Sequence, residues 1–428
     1  MGEATGPDGG LMGWIAVLAW WTNNFMWVGI TKGLGIMLPT LKQQLVSQTW
    51  IIGWIVALVI AMFGFVAPFA DLFRRWFGAP YIIMTCSAMI SAAAIAASFA
   101  QTTLQLALLF VLMAGTGWGI LNVVAKEAVG RCFTKNYATA NGIARTGYSA
   151  GLFVFTPLVQ LFLDTYGWRG TTLLIGGIMS HGVVCGALMV TKGAADSTKP
   201  KTDYQYLAGK NESSASRGTT VPSRCCASWE KVSGSLNLGL MCSARYWSVA
   251  IIFCTTNFAY DMWIVYFVTH ALAQGFTIQD ASHFILVAGI GNLVSKVVQG
   301  SVTDRGLAPS WCMSAVATVV GSVSLCGTAL TTSYWTMMAV SLVMLTSNGV
   351  IFSQTDVLVK QVLGVELLAG AFGWIELKAA VLATAFGFLP GWMYDTTGSF
   401  TAAFIMLGFV QGVSLIPLLS LGYLKIVK

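Results

Sequence analysis

The chain has 428 residues, of which 56% are hydrophobic and 9% charged, and its formal net charge is +7; a soluble protein carries about 25% charged residues. A soluble core cannot hide that much apolar surface, whereas a bilayer accepts it because lipid becomes the solvent of the outer face. Soluble enzymes and nucleic-acid binders are excluded, so no nucleic-acid partner is expected.

The first ten residues are polar and acidic, so no cleavable signal peptide is expected. A spanning helix needs about 20 apolar residues. Runs of that kind fall near 13–39, 50–70, 79–100, 103–130, 137–163, 169–190, 246–272, 281–302, 311–331, 334–357, 367–393 and 399–424. The connectors are short except for 191–245, which is rich in Ser, Thr, Lys and Gly and reads as a flexible linker. The expected domains are a six-helix bundle over 1–190, a cytoplasmic linker over 191–245 and a second six-helix bundle over 246–428. The fold class is an all-α membrane protein of twelve transmembrane helices in two pseudo-symmetric bundles.

Lys and Arg accumulate in cytoplasmic loops. With both termini inside, seventeen of the 23 fall in the inner loops, linker and tail, and only Lys42 and Arg169 fall outside. Lys32, Arg145, Lys296 and Lys378 lie within helices. The positive charge is therefore topological rather than a binding patch. Asn211-Glu212-Ser213 is a sequon that would face the cytoplasm. Nine scattered cysteines without Cys-x-x-Cys or metal-ligand spacing read as packing residues, and Cys225-Cys226 as an acylation candidate. No metal or cofactor is expected. Asp71-Leu72-Phe73-Arg74-Arg75 and Asp304-Arg305-Gly306 occupy equivalent turns of the two halves; each is expected to clamp its own turn.

Several motifs in order resemble the monocarboxylate transporter family of the major facilitator superfamily. Pro7-Asp8-Gly9-Gly10 followed by Gly13-Trp14 is similar to its first signature, with an extra residue before Gly13. Phe133-Thr134-Lys135, Ala140-Asn141-Gly142-Ile143-Ala144, Gly147 and Gly151 resemble the second. His181 to Met189, Gly289-Ile290-Gly291-Asn292 through Gly300, and Asp395-Thr396-Thr397-Gly398-Ser399 extend the likeness along the chain. Physically, Asp8 is expected to cap the first helix. Gly142, Gly147 and Gly151 let a neighbouring helix approach closely.

Charges within a bilayer cost about 2.5–3.5 kcal/mol each and need partners or water. Lys32 stands 18 residues beyond Trp14, about 27 Å along a helix. The resemblance implies that a lysine there binds the substrate carboxylate and its proton; the alternative is snorkelling to headgroups. Asn292 and Lys296 share one helix face, where lactate carriers look to have an aspartate and an arginine. Lysine keeps the charge and loses the bidentate fork, so Lys296 either binds the substrate or snorkels to the inner face; the amide cannot carry a proton, which puts the usual relay in doubt. Asp261 is read as the one mid-membrane acid, pairing with Lys32 or Lys296 and either replacing the missing acid in proton coupling or forming a purely structural ion pair. Arg145 either reads an anion from the cavity or pairs with Glu127 or another inner acid.

Asn348, Phe352, Ser353 and Gln354 are expected to line the cavity, with Tyr148, Trp374 and Trp392 as aromatic walls. Glu376 and Lys378 read as gate or interface charges. His270 and His283 are expected on solvated surface, and with His181 they form no catalytic constellation, so no enzyme is expected. The resemblance implies a proton-coupled carrier of a small monocarboxylate of the lactate, pyruvate or keto-acid class, working by alternating access at the plasma membrane. A single-span immunoglobulin-like chaperone accompanies some relatives. Alternatives are a facilitative carrier of a neutral or zwitterionic solute, such as an aromatic amino acid or creatine, and a non-transporting receptor.

Overall fold

The computed structural model describes residues 8–44, 49–196 and 236–424. Among these, ten helical stretches are long and apolar enough to cross a membrane. One of them, Tyr137–Val190, has 54 residues, about 80 Å if straight, far more than the ~30 Å hydrocarbon core. It breaks at Gly167, whose φ of +64° is open to glycine. The second arm returns antiparallel to the 79–97 helix: Gly176 packs on Ile95 and Gly186 on Met84. That stretch therefore makes two passes.

With the first helix, the passes number twelve: α1 Gly10–Gln44, α2 49–77, α3 Ala79–Ala97, α4 Thr103–Cys132, α5 137–166 and α6 168–190. The second half has α7 Ala244–Ala273, α8 Ile278–Asp304, α9 Ser310–Leu330, α10 Tyr334–Leu363, α11 Leu368–Thr397 and α12 Thr401–Tyr423. Capping boxes start two of them: Thr102 with Gln105 at α4, and Thr277 with Asp280 at α8. Each satisfies amides that the first turn leaves unpaired. Large apolar side chains such as Phe65, Leu104, Phe409 and Ile416 are exposed, which a bilayer accommodates and water does not. The protein is a multi-pass membrane protein.

The start of α1 and the end of α12 share one face, called here the terminal face. One apolar core fills the first half and continues into the terminal ends of the second half through Tyr246, Phe253, Val359 and Phe372. A second core, built on Trp263, Phe267, Phe284 and Phe404, stays within the second half toward the opposite face. The two halves are thus fused through their cores at the terminal face.

The linker expectation needs trimming at both ends. Helix continues from α6 to Asp196, and a 3-10 turn, Leu238–Cys242, leads into α7. Asn211, Cys225 and Cys226 lie outside the described residues. His270 is not solvated: it is buried, with Nε2 on the Thr328 carbonyl at 2.9 Å and its ring against Phe404. His283 is exposed, as expected.

Candidate functional site

Helix α5 is the axle of the site, and its glycines explain why. A Cβ on Gly142 would lie 2.0 Å from the Lys296 carbonyl of α8, and one on Gly147 would lie 2.2 Å from the Trp21 carbonyl of α1. Gly151 meets the Phe25 carbonyl in the same way. Bare backbone on two sides lets α5 sit tightly between α1 of its own half and α8 of the other.

That approach drives the Lys296 side chain into the α5–α8 seam. It is buried, and its Nζ donates to Ser149 Oγ at 3.2 Å and to the Arg145 carbonyl at 3.3 Å. It also stands 5.7 Å from the centre of the Tyr148 ring. Among the described residues, no carboxylate forms an ion pair with it. Asn292, one turn away, receives the Ser149 hydroxyl on Oδ1 at 2.9 Å and donates from Nδ2 to the Leu345 carbonyl at 2.6 Å. Ser149 therefore links Asn292 and Lys296 into one polar cluster, and the snorkelling alternative for Lys296 does not describe this geometry.

Arg145 behaves differently. Its Nε donates to Asp356 Oδ2 of α10 at 2.5 Å, and its guanidinium lies 5.7 Å from the Trp20 ring and 5.5 Å from the Phe352 ring. It does not pair with Glu127, which instead receives Arg74 at 2.7 Å and Arg131 at 2.6 Å. Asp356 also lies 3.9 Å from Lys126, and Lys126 binds Glu376 of α11 at 2.7 Å. Asn122, one turn before Lys126, donates to Glu376 at 3.1 Å. Buried Lys126 and partly buried Arg145 of the first half are thus matched by two buried carboxylates of the second. Glu376 therefore bridges the two halves.

Asp356 of α10 is a second acid on a spanning helix, and it is fully buried. Asp261 forms no ion pair with Lys296. It is half-buried and receives Asn257 Nδ2 at 2.6 Å, while Tyr148 and Tyr260 lie within its field. The Lys32 side chain lies outside the described residues. Phe352 packs edge-on against Tyr260 at 5.3 Å, so the cluster has an aromatic side, with Tyr148 beside Lys296 and Phe352 beside Arg145. Asn348 turns back to its own helix, donating to the Met344 carbonyl at 3.0 Å. Gln354 reaches Gln299 of α8, and the Ser353 carbonyl takes the Asn141 amide; both sit in helix seams. Trp374 donates to the Leu236 carbonyl at the terminal face, and Trp392 is exposed on the outer surface, so neither is a wall of this site.

The first two signatures meet at the terminal end of α5. The Asp8 carboxylate accepts the Thr134 amide and hydroxyl, both at 2.8 Å, the Lys135 amide at 3.0 Å and the Asn136 amide at 2.7 Å. Asp8 therefore organises the start of α5, not of α1. Slight burial opposes its ionisation, but the bonds from Thr134, Asn136 and Lys135 prevail and hold the carboxyl below the usual carboxylate range. Gly9 and Gly13 leave room for the Phe133 ring, which Trp14 meets edge-on at 5.5 Å. Asp304 does not clamp its own turn either. It crosses to α5 and accepts the Ala138 amide at 3.1 Å and the Thr139 amide at 2.7 Å. Asp71 does clamp Arg74 and Arg75, and also receives Asn237 at 2.8 Å.

Sequence reasoning missed Asp356, Lys126 and Ser149. Asp356 stands in an apolar run four residues before Lys360, and Lys126 four after Asn122. Their spacing marks shared helix faces, but their partners are more than 200 residues away, as in Arg145–Asp356.

Twelve helices in two halves, with charges buried where the halves meet, define a membrane transporter. The sequence model of the Major Facilitator Superfamily matches residues 9–377, and the chain belongs to that superfamily. Its resemblance to the monocarboxylate transporter family holds across the whole chain. It is 29% identical to Monocarboxylate transporter 12 of Rattus norvegicus, over 100% of this chain and 88% of that one. It is 24% identical to Monocarboxylate transporter 13 of the same species, over 94% and 87%. Among solved structures, the proton:xylose symporter XylE bound to 6-bromo-6-deoxy-D-glucose shares the fold, with a TM-score of 0.72 at 12% identity over 96% of this chain and 95% of that one. FucP in the outward conformation gives 0.67 at 15% identity over 95% and 98%. The protein is a transporter rather than an enzyme.

Proposed function

We propose that this transporter carries a small monocarboxylate of the lactate, pyruvate or keto-acid class, with a proton, by alternating access. The observation that carries the reading is the Lys296 ammonium, buried in the α5–α8 seam with only neutral acceptors among the described residues. A buried cation is costly until an anion joins it. Arg145 is already neutralised by Asp356, so the balance favours one carboxylate over two. Tyr148, Tyr260 and Phe352 suit a short apolar tail. Lys32 is the candidate second cation, and Asp261 the candidate proton carrier beside Tyr148.

The Arg145–Asp356, Lys126–Glu376 and Asp304–α5 contacts act together as the gate at the terminal face. They must part for the site to open there. The Lys and Arg bias supports a cytoplasmic terminal face, with the plasma membrane as the site of action; surface biotinylation of tagged protein reads the latter.

A second reading, facilitative transport of a neutral or zwitterionic solute, is favoured by Asn292, a fully engaged amide with no proton to give. Uptake into liposomes holding the purified protein separates the two, using lactate, pyruvate, longer keto acids and aromatic amino acids under an acid-outside gradient. Acid-stimulated carboxylate flux supports the proton-coupled carrier. Flux of an amino acid that is independent of pH, with no carboxylate flux, supports the alternative.

A further inference from the structure

A groove of about 520 Å3 opens on the outer surface of α11 beside the start of α7. Its walls are apolar, formed by Leu377, Val381 and Phe386 of α11, Met241 of the 3-10 turn and Trp247 of α7. Val381 is 58% exposed and Phe386 48%. On a spanning helix such surface meets lipid, not water.

Lys378 stands at one end of this groove. Its Nζ donates to Tyr246 Oη at 2.6 Å and approaches Met241 Sδ at 3.3 Å. It faces the rings of Tyr246, Trp247 and Trp374 at 4.7, 5.0 and 5.8 Å. Among the described residues, no carboxylate forms an ion pair with it. The aromatic faces and the phenol hold the ammonium in place without cancelling its charge. Val381 and Phe386 follow Lys378 by three and eight residues, placing them about 4.5 and 12 Å farther from the terminal face. The groove thus presents a fixed cation level with the first turn of α7 and an apolar channel running from it toward the membrane interior. Tryptophans beside the cation are the usual furniture of the headgroup level.

We propose that this groove binds an anionic phospholipid, with its phosphate on Lys378 and an acyl chain along Val381 and Phe386. The charge selects the headgroup. A choline lipid would bring its own cation against a cage that the Lys378 ammonium already fills, whereas a net-negative headgroup supplies the missing counter-charge. The site lies on the outer surface of α11, remote from the α5–α8 seam, and does not depend on which solute the protein carries.

The test uses the purified full-length protein in detergent, titrated with dioleoyl phosphatidylserine or dioleoyl phosphatidylcholine, with lipid retention read by native mass spectrometry. Wild type is expected to prefer the serine lipid by about fivefold, the worth of one lysine near an anionic surface. Lys378→Gln should erase that preference, and Lys378→Arg should keep it. Val381→Trp, which fills the channel and spares the cation, should lose retention of the serine lipid, so the outcome does not depend on Lys378→Gln folding. Equal retention of both lipids by wild type overturns the proposal. So does a preference that survives Lys378→Gln or Val381→Trp, and so does full displacement of the serine lipid by millimolar inorganic phosphate, which would identify a free-anion site.

Discussion

Arg145 of α5 and Asp356 of α10 join the two halves of the transporter through a buried ion pair, Nε to Oδ2 at 2.5 Å. Asp356 is fully buried and Lys126 stands 3.9 Å away, so removing its charge strands Arg145, while Lys126 keeps Glu376 at 2.7 Å. Breaking a buried pair from one side costs about 3–5 kcal/mol, while replacing both partners costs far less. Asp356→Asn should therefore lower the thermal-unfolding midpoint sharply, and adding Arg145→Gln should recover much of the loss. Strictly additive effects of the two changes would deny the coupling.

Gly142 sets how closely the halves approach beside Lys296. The Cβ of Gly142→Ala would meet the Lys296 carbonyl at 2.0 Å, and that atom is backbone, so a helix has to move. The substitution should cost about 1–3 kcal/mol of stability, the usual toll of overpacking, and reduce liposome uptake. An unchanged melting midpoint with full uptake would contradict the tight seam.

Asp8 makes the start of α5 sensitive to acid. Its carboxyl titrates below the ordinary 3.8 in the folded protein. Its contribution is therefore complete above the unfolded value and is lost as pH falls through the lower folded one. Asp8→Ala should cost about 1–2 kcal/mol at neutral pH, as loss of a helix cap does, and the difference should shrink as pH falls from the unfolded value through the lower folded one. Amide exchange at Thr134, Lys135 and Asn136 is the direct readout. Equal protection in Asp8→Ala and wild type at neutral pH would count against the clasp.

An amide at Asn292 leaves Lys296 without a carboxylate beside it, as the proposed substrate site requires. In Asn292→Asp, a carboxylate shares Ser149 with the ammonium and competes with the substrate's own. At neutral pH the KM for a carboxylate should rise by about tenfold, equal to about 1.4 kcal/mol, and acidification should restore it by neutralising the new acid. A KM that is unchanged, or that worsens on acidification, would argue against competition at this cation.

The spans were legible because each has a long apolar run, and the break between α5 and α6 because the runs 137–163 and 169–190 are separate. The glycines of α5 announced close packing, although not that Gly142 would meet α8 while Gly147 and Gly151 met α1. What the sequence hid were partners. Asp8 reads as a cap for the helix that follows it, yet its carboxylate serves Thr134, whose amides are unpaired at another helix's start. Trp374 and His270 lie in apolar runs whose periodicity is weak because both lipid and protein faces are hydrophobic. Nothing local says that one indole finds the Leu236 carbonyl or that the imidazole is buried. Asp356 is a lone acid whose meaning depends on Arg145, and only the assembled halves bring the two together.

The central claim is that the Lys296 ammonium receives the substrate's carboxylate. The most direct measurement is initial uptake of labelled pyruvate into acid-outside liposomes by wild type, Lys296→Gln and Lys296→Arg, with amounts of folded protein matched. Lys296→Gln should lose at least about 100-fold in kcat/KM, near 3 kcal/mol, and Lys296→Arg should retain part of the flux. Wild-type uptake by Lys296→Gln would contradict the account.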